Sequence, residues 1–329
     1  MRYPILPALL LLLRFTVSPA CSAQASESKL ALDSDHDGLA DSLEQSLLQQ
    51  FQPRFLISNS DCSTKPAEFT PLSEAPVVKA DNATIYGQAF PSPGRADTVE
   101  LHYYDLWRKD CGQAGHDLDA EHVSVLIARD EAGSWKARYW YAAAHEDTLC
   151  DASQISRAGA LNAELRGPDI WVSANKHGAF LSKKACTRGC GADQCEASEP
   201  LHNAGVVNLG EFSAPMNGAT WARSPRWPLK QKMARTDFDA ARTARLETLP
   251  ANDIAWASPK KRPAQAAILG GDAALGRTAT GLRATDSALT VADTNTSGAL
   301  DTASRKTGNA LAKSYRGVKK ALKSATRNK

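Results

Sequence analysis

Residues 115–122 read Gly-His-Asp-Leu-Asp-Ala-Glu-His and run straight into an apolar stretch, Val123-Ser-Val-Leu-Ile127. His116, Asp119, Glu121 and His122 thus set two imidazoles and two carboxylates at the mouth of a strand. Such groups bind divalent ions or move protons. The two-residue period of a strand sorts them. Asp119 and Glu121 point with Val123, Val125 and Ile127, and His122 points the other way.

A second constellation lies at residues 33–44, Asp-Ser-Asp-His-Asp-Gly-Leu-Ala-Asp-Ser-Leu-Glu. It matches the calcium-loop pattern D-x-D-x-D-G-x5-E in full. Asp33, Asp35 and Asp37 offer hard oxygens, and Gly38 takes the sharp bend. Leu39 offers a carbonyl, Asp41 a direct or water-mediated contact, and Glu44 a bidentate carboxylate. A helix over 41–51 leaves the loop with Leu43, Leu47 and Phe51 on one face. No helix enters the loop, so a structural calcium is expected rather than a paired sensor.

These groups need a scaffold. Val123–Ala128 and Trp135–Ala143 alternate apolar and polar residues around Asp130-Glu-Ala-Gly133 and predict a hairpin. Its register puts 121 opposite about 142 and 119 opposite about 144, so His145, Glu146 and Asp147 return to the cluster. Thr84–Ala89, Val99–Tyr103 and Asp169–Ser173 are further strands. Many short strands over about 190 residues suit a single β-sandwich, and the fold class is mostly β. The expected divisions are 24–50 for the calcium loop and helix, and 51–245 for the sandwich. Residues 246–301 are an Ala-, Thr- and Ser-rich flexible linker. In 302–329 a basic helix carries Leu311, Tyr315, Val318 and Leu322 on one face.

Residues 1–23 have the form of an export signal: Arg2, an apolar run from Ile5 to Leu13, then Ser18, Ala20 and Ala23. The run is well short of the roughly 20 residues of a spanning helix. Cleavage would release a secreted or periplasmic protein, and lipidation at Cys21 would anchor it. Either route leaves six cysteines: Cys62, Cys111, Cys150, Cys186, Cys190 and Cys195. An even number suits disulfides in an oxidising compartment, ahead of a zinc site at 186–195. Cys111 and Cys150 are expected to close the base of the hairpin, with Cys62 pairing into the 186–195 group. The formal charge of +3 hides a segregation. Setting aside two Arg in the leader and nine Lys or Arg after residue 301 leaves −8 on the body. The tail is therefore expected to favour an anionic membrane surface, and nucleic acid is not an expected partner.

At Gly115-His-Asp-Leu-Asp-Ala-Glu121 the chain resembles the necrosis-inducing (Nep-like) secreted proteins, whose signature is G-H-R-H-D-W-E followed by a Val-rich strand. It is also similar to plant vacuolar-sorting-type relatives carrying H-x-G-D-W-E. Phe51-Gln-Pro53, Pro66-Ala-Glu-Phe-Thr-Pro71 and Val172-Ser-Ala-Asn-Lys-His177-Gly178 are similar to other family segments in the same order. The likeness covers roughly residues 50–215. It implies a β-sandwich with a divalent-cation site at His116, Asp119 and Glu121, and His177 as a nearby polar partner. It also implies binding of a lipid head group at a membrane. Leu118 and Ala120 replace the family's second His and its Trp, which separates toxin activity from the fold. Carboxylates with one imidazole suit magnesium, calcium or manganese as the second ion.

Three functions follow. The first is an exported metal-binding protein that recognises a glycan or lipid head group, with His177 and His145 at the ligand. The second is a metal-assisted hydrolase in which Glu121 or His116 activates water. The third is an envelope protein stabilised by calcium alone.

Overall fold

The computed structural model describes residues 32–261, except 93, 94, 96, 113, 114, 149, 190–192, 197, 203, 228–231, 235 and 250–253. The leader, Cys190, the distal part of the expected linker and the basic tail lie outside the described residues. Helix α1 spans Asp41–Gln50. The strands that follow are β1 (Arg54–Ser58), β2 (Glu68–Phe69), β3 (Val78–Ala80), β4 (Ile85–Pro91) and β5 (Thr98–Lys109). Next come β6 (Asp117–Arg129), β7 (Trp135–Ala142), β8 (Gln154–Arg157), β9 (Asp169–Val172) and β10 (Ala179–Phe180). Helix α2 (Lys183–Thr187) precedes β11 (Ser198–Pro200), β12 (Val206–Asn208), β13 (Gly210–Glu211) and β14 (Ala214–Pro215). Helix α3 (Ala240–Glu247) and β15 (Ile254–Trp256) complete the described elements.

The strands form a seven-stranded sheet in the order β12-β4-β5-β6-β7-β8-β15 and a four-stranded sheet in the order β10-β9-β1-β11. The fold is mostly β, as the sequence pattern indicates. One buried cluster joins the two sheets. It takes Phe55 and Ile57 from β1 and Ile170 and Val172 from β9. From the large sheet it takes Leu101, Tyr103, Val123, Val125, Ile127 and Trp140. The other face of the large sheet is also covered, with Tyr104 and Leu106 of β5 packed among Trp221, Trp227 and Met233. Both faces of β5 are therefore buried, and its burial runs unbroken from Thr98 to Trp107 with Glu100, His102 and Asp105 inside.

Helix α1 forms where it was expected, with Leu47, Leu48 and Phe51 buried. It lies close to β4. A Cβ on Gly87 would stand 2.7 Å from Leu48 Cδ2, so a side chain there would push the helix away. Tyr103 of β5 donates its hydroxyl proton to the Leu48 carbonyl at 3.1 Å and serves the helix's last turn.

The structure corrects three expectations. Val123 pairs with Ala142, two positions away from the expected register: the turn sets Arg129 opposite Trp135, which shifts it by one, and a bulge between Leu126 and Ile127 adds the second. The folded body does not end at 245. Leu246 is fully buried, and β15 adds to the large sheet by pairing Ile254 with Ser156. Cys111 pairs with Cys62 rather than Cys150, and Cys186 pairs with Cys195. The β5–β6 connection explains the first pairing. The Cys111 N–H donates to the Asn175 carbonyl and the Cys62 N–H to Asn175 Oδ1, so one loop residue gathers both cysteines. Cys150 is itself disulfide-bonded. These bonds belong to an oxidising compartment, as expected of an exported protein. Among the described residues no helix is long and apolar enough to cross a membrane.

Candidate functional site

The loop before α1 is wound about its own carboxylates. Asp33 accepts the N–H groups of His36 and Gly38 at 2.8 and 3.1 Å, and Asp37 accepts that of Leu39 at 2.6 Å. Gly38 sits at φ 95°, a region closed to most side chains, which explains the glycine. Ligand oxygens of Asp33, Asp35 and Asp37 gather within 4.8 Å of one another, and so do those of Asp35, Asp41 and Glu44. Two long-range bonds tie the loop to the sheet edge. The Glu211 N–H donates to Asp35 Oδ2, and Asn208 Nδ2 donates to Glu44 Oε2, both at 2.9 Å. Asp35 Oδ1, Asp37 Oδ2 and Glu44 Oε1 are buried with no hydrogen-bond partner.

The electrostatics agree. Burial, reinforced by Asp35 and Asp37, pushes the Glu44 carboxyl up to about 8. Burial first, then the neighbouring aspartates, raise Asp37 to about 6 and Glu211 to about 7. Carboxylates desolvated beside one another resist ionising, and a bound cation reverses that balance. Asp41 stands apart, since both its oxygens accept from Ser34, at 2.7 and 2.6 Å. That leaves it a place in the site through water.

The second constellation is built differently. The β5–β6 ladder sets Asp105 against Glu121 and Trp107 against Asp119. Asp119 and Glu121 are buried. His177 Nδ1 lies 3.0 Å from Asp119 Oδ2, and its Nε2 lies 3.3 Å from Asp61 Oδ1. The ring stacks on Trp107, with centroids 4.0 Å apart and planes 7° apart. Burial alone would lower the His177 pKa, but the bonds to Asp119 and Asp61 raise it to about 10. His177 is therefore a cation between two carboxylates. Lys232, 3% exposed, donates to Glu121 Oε2 at 2.9 Å and to the Ala120 carbonyl. Asp105 accepts from Trp107 Nε1 at 3.1 Å, and burial, then Glu121, holds its carboxyl well above the usual range.

Here the chain supplies its own cations. His116 faces outward, 44% exposed at its side chain, with Nδ1 3.0 Å from the Leu118 carbonyl. His145 Nε2 lies 2.7 Å from Asp193 Oδ1, and the ring also stands within electrostatic reach of Glu121. Among the described residues His116, Asp119 and Glu121 do not gather as a ligand group. An ammonium stands beside Glu121, while Asp105 Oδ1 is buried with no hydrogen-bond partner. Leu118, His145 and His177 all hold positive φ (59°, 51° and 55°), a cost that the surrounding bonds offset.

Sequence reasoning singled out Asp119, Glu121 and His177 but missed Asp61, Asp105 and Lys232. Reading β5 as a full partner of β6 places Asp105 opposite Glu121. Lys232, more than a hundred residues from Glu121, has no local signal.

Away from both constellations, a groove of about 540 Å³ is lined by Gln50, Gln52, Arg54, Asn162, Asp169 and Trp171 among others. Arg54 makes a two-pronged contact with Asp169 at 2.6 and 2.7 Å.

No family model matches the chain, and no curated protein matches it. Solved structures to which it is similar include NLPPya in complex with glucosamine, at 13% identity and TM-score 0.38, covering 66% of this chain and 93% of that one. NLPPya in complex with mannosamine is similar at 14% identity and TM-score 0.37, with the same coverage of 66% and 93%. Necrosis and Ethylene inducing Protein 2, from the causal agent of cocoa's Witches Broom disease, is similar at 18% identity and TM-score 0.33. That match covers 58% of this chain and 84% of that one. The structural neighbours are thus of the necrosis-inducing toxin-fold kind that residues 115–121 resemble, at low identity.

Proposed function

We propose that the protein is an exported, calcium-stabilised β-sandwich that binds a hydroxyl-rich surface ligand, a glycan or a lipid head group. The observation that carries the calcium part is the set of three buried carboxylate oxygens on Asp35, Asp37 and Glu44 that lack partners. Buried acceptors of this kind demand a cation or a donor. Asp33, Asp35, Asp37, the Leu39 carbonyl and Glu44 form the ligand set, with Asp41 reaching the ion through water. The ion then serves as a staple. Asp35 and Glu44 already bind Glu211 and Asn208, so ordering the loop fastens α1 to β12 and β13.

For the ligand, the groove beside Trp171 presents amides, a paired Arg and Asp, and an aromatic flank. A concave surface with a few fixed polar groups is the usual form of a binding site. The hydrolase reading finds less support. Glu121 is 4% exposed and its Oε2 accepts from Lys232, so the carboxylate is engaged in an ion pair.

Two measurements separate the parts. Calorimetry on chelator-treated full-length protein is expected to show calcium binding that Glu44→Gln abolishes; no heat in the wild type sinks the calcium part. Glycan-array and liposome retention are expected for the wild type and reduced for Trp171→Ala. Retention by neither surface sinks the ligand part.

A further inference from the structure

The face of β5 and β6 opposite His177 carries a cluster that neither constellation uses. His102 of β5 and His122 of β6 are fully buried and stack with centroids 5.7 Å apart and planes 14° apart. Asp237, from the segment before α3, is 1% exposed. Its Oδ2 lies 2.9 Å from His122 Nε2 and 3.8 Å from His102 Nδ1. The Ser124 hydroxyl donates to the same oxygen at 2.6 Å. One ligand atom from each of His102, His122 and Asp237 lies within 4.8 Å of the others.

Hydrogen accounting exposes a gap. His102 Nε2 lies 2.7 Å from Glu100 Oε1, an oxygen that already accepts the Asp237 N–H, so Nε2 carries the hydrogen. In the neutral ring Nδ1 is then a bare lone pair facing the Asp237 carboxylate, and it has no hydrogen-bond partner. Two acceptors facing each other in a dry pocket need a positive charge between them. Burial opposes a second ring proton and Glu100 and Asp237 outweigh it, yet at 3.8 Å such a proton makes no hydrogen bond to Asp237. A tetrahedral ion bound at about 2.0–2.1 Å holds its donors roughly 3.3 Å apart, between the two separations observed.

We propose that His102 Nδ1, His122 Nε2 and Asp237 Oδ2 are the three protein ligands of a buried tetrahedral site for a zinc-class divalent ion, whose fourth position is left to water. The donor set of two imidazoles and one carboxylate suits zinc or cobalt rather than calcium or magnesium. Glu100 is the outer carboxylate that fixes the His102 ring, a recurrent partner of metal-bound histidine. On binding, the His122 proton resides on Nδ1, which lies 3.9 Å from Glu146 Oε2. A cavity lined by Phe90, Arg95, Glu100, Leu126, Thr236 and Phe238 reaches Glu100, the outer partner of His102. The bound ion fastens the segment at 237 to the large sheet, and with it α3.

The test is a cobalt(II) titration of full-length, chelator-stripped protein. One equivalent is expected to develop the visible bands of tetrahedral cobalt, bleached by zinc and unaffected by calcium. His102→Gln and Asp237→Asn are expected to lose the bands, and Glu100→Gln to weaken binding about 10–100-fold. Glu44→Gln is expected to keep them. X-ray absorption of the zinc-loaded wild type gives a readout that no variant's folding can confound, with two imidazole shells expected. Absence of tetrahedral bands in the wild type overturns the proposal, as does their persistence in both folded ligand variants. A zinc shell of oxygen alone, leaving the pair held by a proton, also overturns it.

Discussion

At His177 three effects compete, and the winner sets a pH dependence. Burial favours the neutral ring, yet the bonds to Asp119 and Asp61 hold it protonated to about 10, against about 6.5 for an unstrained histidine. A group raised on folding contributes stability fully below its unfolded pKa and loses it as pH climbs through the folded one. Urea midpoints should therefore fall between about pH 6.5 and about pH 10. His177→Asn should flatten that slope and cost about 3–5 kcal/mol near the lower end of that window, because two carboxylates lose their cation. Equal slopes in both proteins would show that the decline comes from other groups. Lys232 plays the same part for Glu121. Lys232→Ala should free the place beside Glu121 and Asp105 and make stability depend on added manganese in a Glu44→Gln background. A metal-independent melting curve there would count against Lys232 as the resident cation. These side chains also show where the sequence stopped being legible. The calcium ligands lie within twelve residues and follow a fixed spacing, so they are read in one pass. Asp61, Asp237 and Lys232 reach their partners across more than a hundred residues, and nothing local marks them.

Among the elements, local periodicity carried as far as the hairpin and α1. The alternation of Val123, Val125 and Ile127 put Asp119 and Glu121 on one face and His122 on the other, and the two clusters stand on those two faces. Periodicity did not reach the length of β5. Burial on both faces from Thr98 to Trp107, with His102 and Asp105 inside, leaves no solvent face for polarity to mark. The bulge at Leu126–Ile127 displaced the expected register by one of its two positions, since a bulge leaves little mark on composition. The region after 245 looked like linker by composition, yet β15 pairs with β8, and Arg245 reaches the carbonyls of Trp256 and Ala257. A chain ending at Thr248 should consequently melt several degrees below one ending at Lys261. Equal melting temperatures would mean that β15 adds nothing to the sheet. Cys62→Ser with Cys111→Ser should cost about 2–4 kcal/mol by releasing the loop around Asn175. The same loop carries His177, so this variant should also shift the pH slope described above, which denaturation at two pH values would reveal.

On the scale of the whole molecule, stability depends on holding an acidic N-terminal loop against a sheet edge. Without an ion, Asp33, Asp35, Asp37 and Glu44 crowd together at the point where α1 meets β12 and β13. Their repulsion works against the burial of Leu47, Leu48 and Phe51 on the same helix. Calcium binds only the folded arrangement, since the unfolded chain does not hold four carboxylates together. Mass action then links the ion to the fold. At free calcium a hundredfold above the dissociation constant the gain is about 2.7 kcal/mol. For a body of this size each kcal/mol moves the melting temperature by about 2–4 °C, so the shift between chelator and saturating calcium should be about 5–10 °C. Magnesium, smaller and slower to shed its water, should do less at equal concentration. Glu44→Gln keeps the shape of the side chain and the Asn208 contact while removing the ionisable group. It should abolish the calcium shift and raise the melting temperature of the calcium-free protein at neutral pH, because burial pushes the Glu44 carboxyl up to about 8 and the folded chain no longer has to take up a proton there. That opposite sign separates a metal site from a mere acidic surface, where the same change would leave both melting curves where they were.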